Sequence, residues 1–228
     1  MLYSLQAVRD NVRNRDGRRV FYLGKGDQLT SEARDFLAAE RIQLLPASQA
    51  KPERYRLFSG GWVEEKPESM THLHGNVLVP KTHPRIAFRG AMDTLEAELL
   101  LAQQVLQGEK RQQVGEVLQL SRQILKWEVL EEPAAAPGLL GLSWEELHRR
   151  SHFPQDCYGQ PHFMPQVTDG PEILQLNRAR CAARAAELAA AGAFADREGG
   201  REDLLLLLNR LSSALYVLMI ELKAEKQR

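Results

Sequence analysis

The fold is decided by residues 171–193, PEILQLNRARCAARAAELAAAGA, which carry two stripes at helical spacing. Pro171 suits the first turn of a helix, where its missing N–H costs nothing. One stripe begins apolar and becomes charged: Ile173, Leu176, Arg180, Arg184 and Glu187. The other contains only small side chains: Ala179, Ala182, Ala183, Ala186 and Ala190. The pattern predicts a closely packed helix whose apolar line runs into two arginines.

Two interpretations of these arginines are open from the spacing. Arginines on a line directed at the core are costly unless they are paired or face an anion. Pairing with Glu187 would form a surface salt-bridge face, which the spacing alone favours. Unpaired arginines would instead line an anion-binding cleft.

Helical patterns extend outward from this stretch in both directions. Ser143 is a capping residue, and apolar residues recur at helical spacing in these further segments: Phe88–Gln107, Val114–Leu130, Trp144 to about Arg150, and Glu202–Lys223. Together they predict a mainly α fold, a five-helix bundle. In the last helix a polar line of Asn209, Ser212 or Ser213, and Tyr216 crosses a leucine-rich face. These groups either bond to neighbouring helices or line a ligand cleft.

Residues 1–70 predict a separate small α/β appendage, followed by a helical domain over 71–228. Short β-like runs occur at Val20–Leu23, Arg41–Leu45 and Tyr55–Phe58, around a helix capped by Thr30 or Ser31. Residues 71–84 predict a loop with one short strand at 76–79.

Composition excludes several classes of protein. The 228 residues include 30 basic and 30 acidic side chains, so the net charge is zero. This argues against a protein that coats nucleic acid or an anionic membrane. No uninterrupted apolar run approaches the ~20 residues that span a bilayer, and residues 1–16 do not resemble a secretory signal. The two cysteines, Cys157 and Cys181, form no disulfide framework, so we expect a reducing cytoplasm.

The histidines give only a weak metal signal. His72 and His74 are one residue apart, with His83 nearby, and such spacing on a strand places two rings on one face. No local carboxylate or thiolate completes a ligand set, so the sequence predicts no dedicated metal site. In the first long helix, Gly90 is expected to permit close backbone approach, and Asp93 to lie near the helix N-terminus.

Three segments together resemble the cobalamin adenosyltransferase family. Residues 81–96, KTHPRIAFRGAMDTLE, are similar to the family's K-x-D-P-R-V followed by G-T-x-D-E-L-N. Residues 179–187, ARCAARAAE, resemble A-R-x-x-x-R-R-A-E, and 208–212, LNRLS, resemble L-N-R-L-S-D. Residues 29–37 and 71–89 look like the ethanolamine-utilisation type, which extends the resemblance over nearly the whole chain.

The resemblance implies a five-helix bundle that works with ATP, Mg²⁺ and cobalamin. Such enzymes transfer the adenosyl group of ATP to cob(I)alamin and release triphosphate, with active sites between subunits. It implies that ATP or its metal is contacted by Arg184, Asn209 and Arg210. Asp93 and Arg180 would form a charge pair between adjacent subunits.

The remaining roles also follow from the resemblance. Glu187 would orient the arginines or contact the nucleotide. Phe163 would exclude the lower axial ligand of cobalt, which favours reduction to Co(I); packing within its loop is an equal alternative. The substitute for a phosphate-binding loop would be Thr71, Gly75 and Lys81.

The sequence departs from the family in ways that affect the mechanism. The ethanolamine type carries a histidine and a cysteine cluster, yet Leu57–Leu73 contains no cysteine. The glycine-rich ATP loop of the propanediol type is absent, and Ser213 replaces an aspartate.

The resemblance further implies a homo-oligomer, a trimer, with a flavin reductase and ethanolamine ammonia-lyase as partners, in the cytoplasm and in a bacterial microcompartment. The alternative function is a non-catalytic corrinoid chaperone or microcompartment-associated bundle.

Overall fold

The chain forms two compact units, Met1–His83 and Pro84–Arg228. A computed structural model describes residues 1–15, 17–50, 55–195 and 200–226. The predicted boundary between residues 70 and 71 falls inside the first unit. The difference arises because residues 70–80 form a hairpin that joins the N-terminal sheet. Its second strand, Val77–Pro80, agrees with the short strand predicted at 76–79, whereas its first strand, Met70–His74, lies largely where the sequence predicted a loop.

The N-terminal unit combines two short sheets with two helices. Its described elements are β1 (Leu2–Tyr3), α1 (Leu5–Asn11), β2 (Arg13–Arg15), β3 (Arg18–Leu23), β4 (Gln28–Leu29), α2 (Ser31–Ala39), β5 (Gln43–Pro46), β6 (Tyr55–Leu57), β7 (Trp62–Val63), β8 (Met70–His74) and β9 (Val77–Pro80). The larger sheet has the order β5-β3-β2-β7-β6-β9-β8, and β1 pairs with β4. Strands β3 and β5 are parallel, as the intervening helix α2 requires.

The cap of α2 confirms one sequence prediction. The Thr30 hydroxyl accepts a hydrogen bond from the Ala33 N–H at 3.3 Å. Ala33 and Leu37 are buried, together with Val8 and Phe21, in the small core of this unit. The sequence did not predict α1, because Val8 is its only buried residue and one apolar position sets no period.

The C-terminal unit is helical, which confirms the mainly α prediction. Its described helices are α3 (Pro84–Val105), α4 (Gly108–Leu130), α5 (Trp144–His152), α6 (Pro154–Tyr158), α7 (Pro171–Phe194) and α8 (Glu202–Lys226). Four are long and two are short, so the predicted count of five is not confirmed. Helix α6 lies between the predicted helices, where no helix was expected, and α3 and α4 begin earlier than their apolar patterns indicated.

Helix α8 owes its apolarity to its place in the core. Among the described helices it alone has the length and hydropathy to cross a bilayer. Its Leu204, Leu208 and Leu211 are fully buried, and more than half of the apolar window is covered by the protein. Uninterrupted apolar runs do not reveal this property, because polar residues such as Asn209 and Arg210 interrupt the apolar residues of α8.

A buried ion network joins the start of α3 to the end of α4. Glu128 is fully buried and Arg85 is 2% exposed. The Glu128 carboxylate accepts from the Nε atoms of Arg85, at 2.5 Å, and Arg89, at 2.7 Å. Arg85 also donates to the Glu128 carbonyl at 3.0 Å and to Glu131 at 2.7 Å. These bonds offset the desolvation of the buried charges.

We predict that Glu128→Gln lowers the free energy of unfolding by ~3–5 kcal/mol, because it leaves two guanidinium groups without their buried counter-charge. Glu96→Gln is the matched control, since Glu96 pairs with Arg122 across the same two helices but near the surface. The control should cost at most ~1 kcal/mol. Chemical denaturation measures both changes, and equal losses would contradict the prediction.

Candidate active site

Two of the three arginines of α7, Arg180 and Arg184, lie beside its buried face. Ile173 and Leu176 are fully buried, but their line continues into alanines and not into the arginines as predicted. Arg180 is half-buried, and its Nε and an Nη atom donate to Asn177 Oδ1 at 3.1 and 2.9 Å. Arg184 is exposed and forms no hydrogen bond or ion pair in the part of the chain that the structure describes. The α7 surface therefore offers a cation with no counter-charge of its own.

A chain of hydrogen bonds connects α8 to α7. Arg210 donates to Asn209 Oδ1 at 2.7 Å, and Asn209 Nδ2 donates to Glu187 Oε1 at 2.9 Å. Glu187 thus bonds to the amide and to neither α7 arginine, so the predicted salt-bridge face is not observed. Arg210 Nε is buried with no hydrogen-bond partner among the described residues. Arg184 has no counter-charge among the described residues and Arg210 has a buried donor without a partner, and both features favour the anion-cleft interpretation.

Phe163 lies in the loop between α6 and α7 and packs on α8. Its half-buried ring stacks on Tyr216 with centroids 6.3 Å apart and planes at 25°. Lys223 Nζ lies 5.5 Å from the ring centroid. The Tyr216 ring also lies 5.9 Å from the Arg180 guanidinium. Tyr216 therefore contacts both Phe163, which is predicted to exclude the lower axial ligand of cobalt, and Arg180 of α7.

Asp169 holds the C-terminal end of the loop between α6 and α7 against α8. The sequence did not predict this role. The carboxylate forms an ion pair with Lys223 and accepts from the Gln166 N–H at 2.8 Å, while Lys226 donates to the Asp169 carbonyl at 2.8 Å. The ion pair with Lys223 and the bond from Gln166 hold the pKa of Asp169 below its ordinary value. The only sequence signal was an acidic residue two positions before the helix-initiating Pro171.

Asp93 and Gly90 lie elsewhere than predicted. Since α3 starts at Pro84, Asp93 is in the third turn of the helix, and Gly90 is inside the helix with open space where a Cβ would be. Asp93 is exposed and pairs with no described residue. It does not meet Arg180 within the chain, whose guanidinium bonds to Asn177 instead.

The predicted phosphate-loop residues belong to the N-terminal unit. Thr71 pairs with Val79 in the β8–β9 hairpin, and Gly75 occupies its turn with φ 49°. Lys81 Nζ is 2.7 Å from Glu68 Oε1, and this contact lowers the pKa of Glu68. Thr71 therefore lies in a paired strand, whereas Gly75 lies in the turn between the two strands.

Two of the three histidines of this unit, His72 and His83, contact aromatic rings. The His72 ring lies edge-on to Tyr55 at 5.6 Å, and the His83 ring lies edge-on to Phe58 at 5.5 Å. Among the described residues no group of three or more His, Cys, Asp or Glu side chains is arranged to hold a metal.

Sequence comparison identifies relatives of the helical unit and of the residues just before it. The family model described as cobalamin adenosyltransferase matches residues 63–222. The corrinoid adenosyltransferase EutT of Salmonella typhimurium is 36% identical over 160 residues, and EutT of Escherichia coli is 35% identical over 160 residues. Each match covers 69% of this chain and 60% of the relative. The chain therefore spans about three-fifths of the length of these curated relatives.

Structural comparison supports the helical fold. A variant of a PduO-type ATP:corrinoid adenosyltransferase from Lactobacillus reuteri, complexed with cobalamin and ATP, matches with a TM-score of 0.50 and 20% identity. The match covers 70% of this chain and 89% of that chain. A second variant of the same protein has the same score and identity. At this identity the similarity establishes the fold alone.

We predict that Asp169→Asn destabilises the protein at neutral pH and that this loss vanishes in acid. Because the folded-state pKa is depressed, the carboxylate stabilises the fold above its unfolded pKa of ~3.9 and loses that effect as the pH falls through the folded value. Melting temperatures of wild type and variant between about pH 7 and about pH 3 should therefore converge. Asp156→Asn, on α6, is the exposed control; a gap for Asp169→Asn that is constant with pH would contradict the prediction.

Proposed function

Because the chain belongs to the cobalamin adenosyltransferase family, we propose that it transfers the 5′-deoxyadenosyl group of ATP to cob(I)alamin. The products are adenosylcobalamin and triphosphate. The observation that carries the proposal is the cationic surface of α7 and α8, where Arg184 lacks a counter-charge and Arg210 has an orphaned donor. Both residues belong to the stretch 63–222 that matches the family model, which supports the proposal.

The chemistry needs no nucleophile from the protein. Co(I) supplies an electron pair that forms the Co–C bond to the 5′ carbon of ATP, and the C5′–O bond breaks with its pair leaving on triphosphate. No proton is transferred in this step, which agrees with a site built from arginine and amide groups. The protein contributes orientation of the two substrates and stabilisation of the departing charge.

Arg184 and Arg210 would bind the triphosphate, since guanidinium forks match phosphate oxygens. Asn209 would position the nucleotide, and Glu187 would hold that amide through their 2.9 Å bond. Thr71, Gly75 and Lys81 of the N-terminal unit are proposed as a phosphate contact of that unit. In that role Lys81 would have to leave Glu68, and such an exposed pair costs little to break.

The donor set fits Mg²⁺ that arrives with ATP. Mg²⁺ binds to substrate phosphates with one or two protein oxygens and retains several waters, so it needs no all-protein cage. Glu187 and Asn209 provide such oxygens. The ion would neutralise charge on the polyphosphate as the leaving group departs.

Phe163 would serve the reduction of cobalt. An apolar ring held beneath the corrin excludes water and the lower ligand, which makes Co(I) easier to reach. Its half-burial against Tyr216 supports this assignment, because the ring is held in place and still partly exposed.

Asp93 and Arg180 would join two subunits of a homo-oligomer, which we propose to be a trimer. Asp93 is exposed without a partner on the described surface, so a carboxylate is available for a neighbouring copy. Arg180 is held in place by Asn177 and Tyr216, which prepares it for such a contact.

The similarity to EutT proteins supports a role in ethanolamine utilisation. There the adenosylcobalamin would supply ethanolamine ammonia-lyase, with a flavin reductase delivering electrons. We propose a cytoplasmic location and association with a bacterial microcompartment.

One assay tests the function. Purified protein is incubated with ATP, Mg²⁺ as the sole added metal after chelation, and cob(I)alamin, and adenosylcobalamin is followed by absorbance. Product formation is expected. Corrinoid binding without turnover would indicate the non-catalytic chaperone, and activity that only Fe²⁺ or Zn²⁺ restores would reveal a metal requirement.

We predict that Arg184→Ala lowers kcat/KM for ATP by about 10²–10³-fold, the usual effect of removing a donor to a developing anion. Arg178→Ala is the matched control, since Arg178 is exposed on the same helix but pairs with Glu98. The control should retain activity within about threefold if charge near the site is what matters. Equal losses in the two variants would contradict the role of Arg184.

We predict that Asp93→Asn and Arg180→Ala each weaken assembly and are coupled in a double-mutant cycle on subunit dissociation. Close interfacial charge pairs give couplings of at least ~1.5 kcal/mol. A second cycle that replaces Arg180→Ala by Arg178→Ala is the control and should show additivity. Additivity in both cycles would show that Asp93 and Arg180 do not meet.

A further inference from the structure

Tyr216 of α8 contacts the loop between α6 and α7 that carries Phe163 (the Phe163 loop). Its hydroxyl oxygen is 3.0 Å from His162 Nδ1 and 3.4 Å from the Phe163 backbone nitrogen. The centroid of its ring lies 6.3 Å from the Phe163 ring centroid and 5.9 Å from the Arg180 guanidinium carbon. The sequence indicated only a polar residue in an apolar face.

The hydrogen-bond roles follow from the partners. His162 Nε2 lies 3.0 Å from the His152 carbonyl oxygen, which can only accept, so Nε2 carries a hydrogen. In the neutral ring Nδ1 is then an acceptor, and the Tyr216 hydroxyl donates to it. The same hydroxyl oxygen accepts from the Phe163 N–H. The relay is complete only with a side chain that donates and accepts through one atom.

We propose that Tyr216 is a positioning residue that holds Phe163 in its ligand-excluding pose through the hydroxyl, and Arg180 through the ring. The inference rests on the proposed function, because it concerns the role of Phe163 in forming Co(I). It assigns a specific task to the polar atom of Tyr216, separate from the packing of its ring.

The hydroxyl matters because it bonds to both His162 and the Phe163 backbone, whereas the bond from His162 Nε2 to the His152 carbonyl and the approach of Lys223 to the ring do not involve the Phe163 backbone. His162 and Met164, on either side of Phe163, are exposed, and Met164 is 81% exposed. The ion pair of Asp169 with Lys223 fixes the opposite end, near the start of α7. Between these anchors the Phe163 backbone has one hydrogen bond from its N–H, which goes to Tyr216.

The test is Tyr216→Phe, which keeps the ring contacts and removes the relay. Activity is measured with cob(II)alamin plus reductant and, separately, with pre-reduced cob(I)alamin. We expect the rate with cob(II)alamin to fall about fivefold to tenfold, the effect of losing one hydrogen bond on the population of the correct pose. The rate with cob(I)alamin should change by less than about twofold, because adenosyl transfer does not require the excluded ligand.

Tyr158→Phe is the matched control. Tyr158 is another half-buried tyrosine of this unit, and its hydroxyl donates to Glu221 at 3.1 Å, outside the Phe163 loop. This variant should leave the ratio of the two rates unchanged. Equal losses with both substrates in Tyr216→Phe, or an unchanged ratio, would overturn the proposal.

A second readout is independent of catalysis. Hydrogen–deuterium exchange should be faster at the Phe163 amide in Tyr216→Phe and unchanged in Tyr158→Phe, with melting temperature as the check on folding. Unaltered exchange at Phe163 would refute the positioning role even in an active protein. A wild-type protein that does not turn over but shows the predicted exchange would reject the proposed function and retain the relay.

Discussion

The close approach of α7 to its neighbours is the constraint on which the site depends. Ala179, Ala183, Ala186 and Ala190 are fully buried, and α7 packs against both α3 and α8. Because methyl groups take little space, the helix backbones come near enough for short side chains to meet across the gap. The 2.9 Å bond between Asn209 and Glu187 is such a contact. Larger residues on this stripe would separate the helices and break the polar chain, which contains the proposed nucleotide contacts Asn209 and Arg210.

The predictable part of the structure is the part with a local signal. The caps at Thr30 and Ser143 and the proline at 171 marked helix starts correctly, since each acts on its own first turn. The start of α3 was missed because Arg85, though buried, is charged and breaks the apolar pattern. Its partner Glu128 lies 43 residues away, and no local pattern reports a pair at that separation.

The site shows the same division between local and distant signals. The resemblance identified Arg180, Arg184, Asn209 and Arg210, and the structure places them on two adjacent helices. The bond between Glu187 and Asn209 was not predictable. Two helical stripes interleave on α7 and one of them consists of alanine, so the sequence leaves open which stripe is buried and therefore which neighbour Glu187 meets. The first strand of the hairpin, Met70–His74, was missed for a related reason, since strand pairing depends on a partner strand and not on the segment alone, whereas the second strand was predicted from its own apolar run.

Helix α8 carries residues that serve both proposed tasks, nucleotide binding and the reduction of cobalt, on one stripe. Asn209, Tyr216 and Lys223 are spaced seven residues apart, so they lie on one stripe at intervals of about 10 Å along the axis. The first contacts Glu187, the second Arg180 and Phe163, and the third the Phe163 ring and Asp169. Groups proposed for nucleotide binding and for reduction of cobalt are therefore mounted on one rigid element. A shift of α8 would move both together, so the spacing between the nucleotide end and the Phe163 end is set by helix geometry and not by loop conformation.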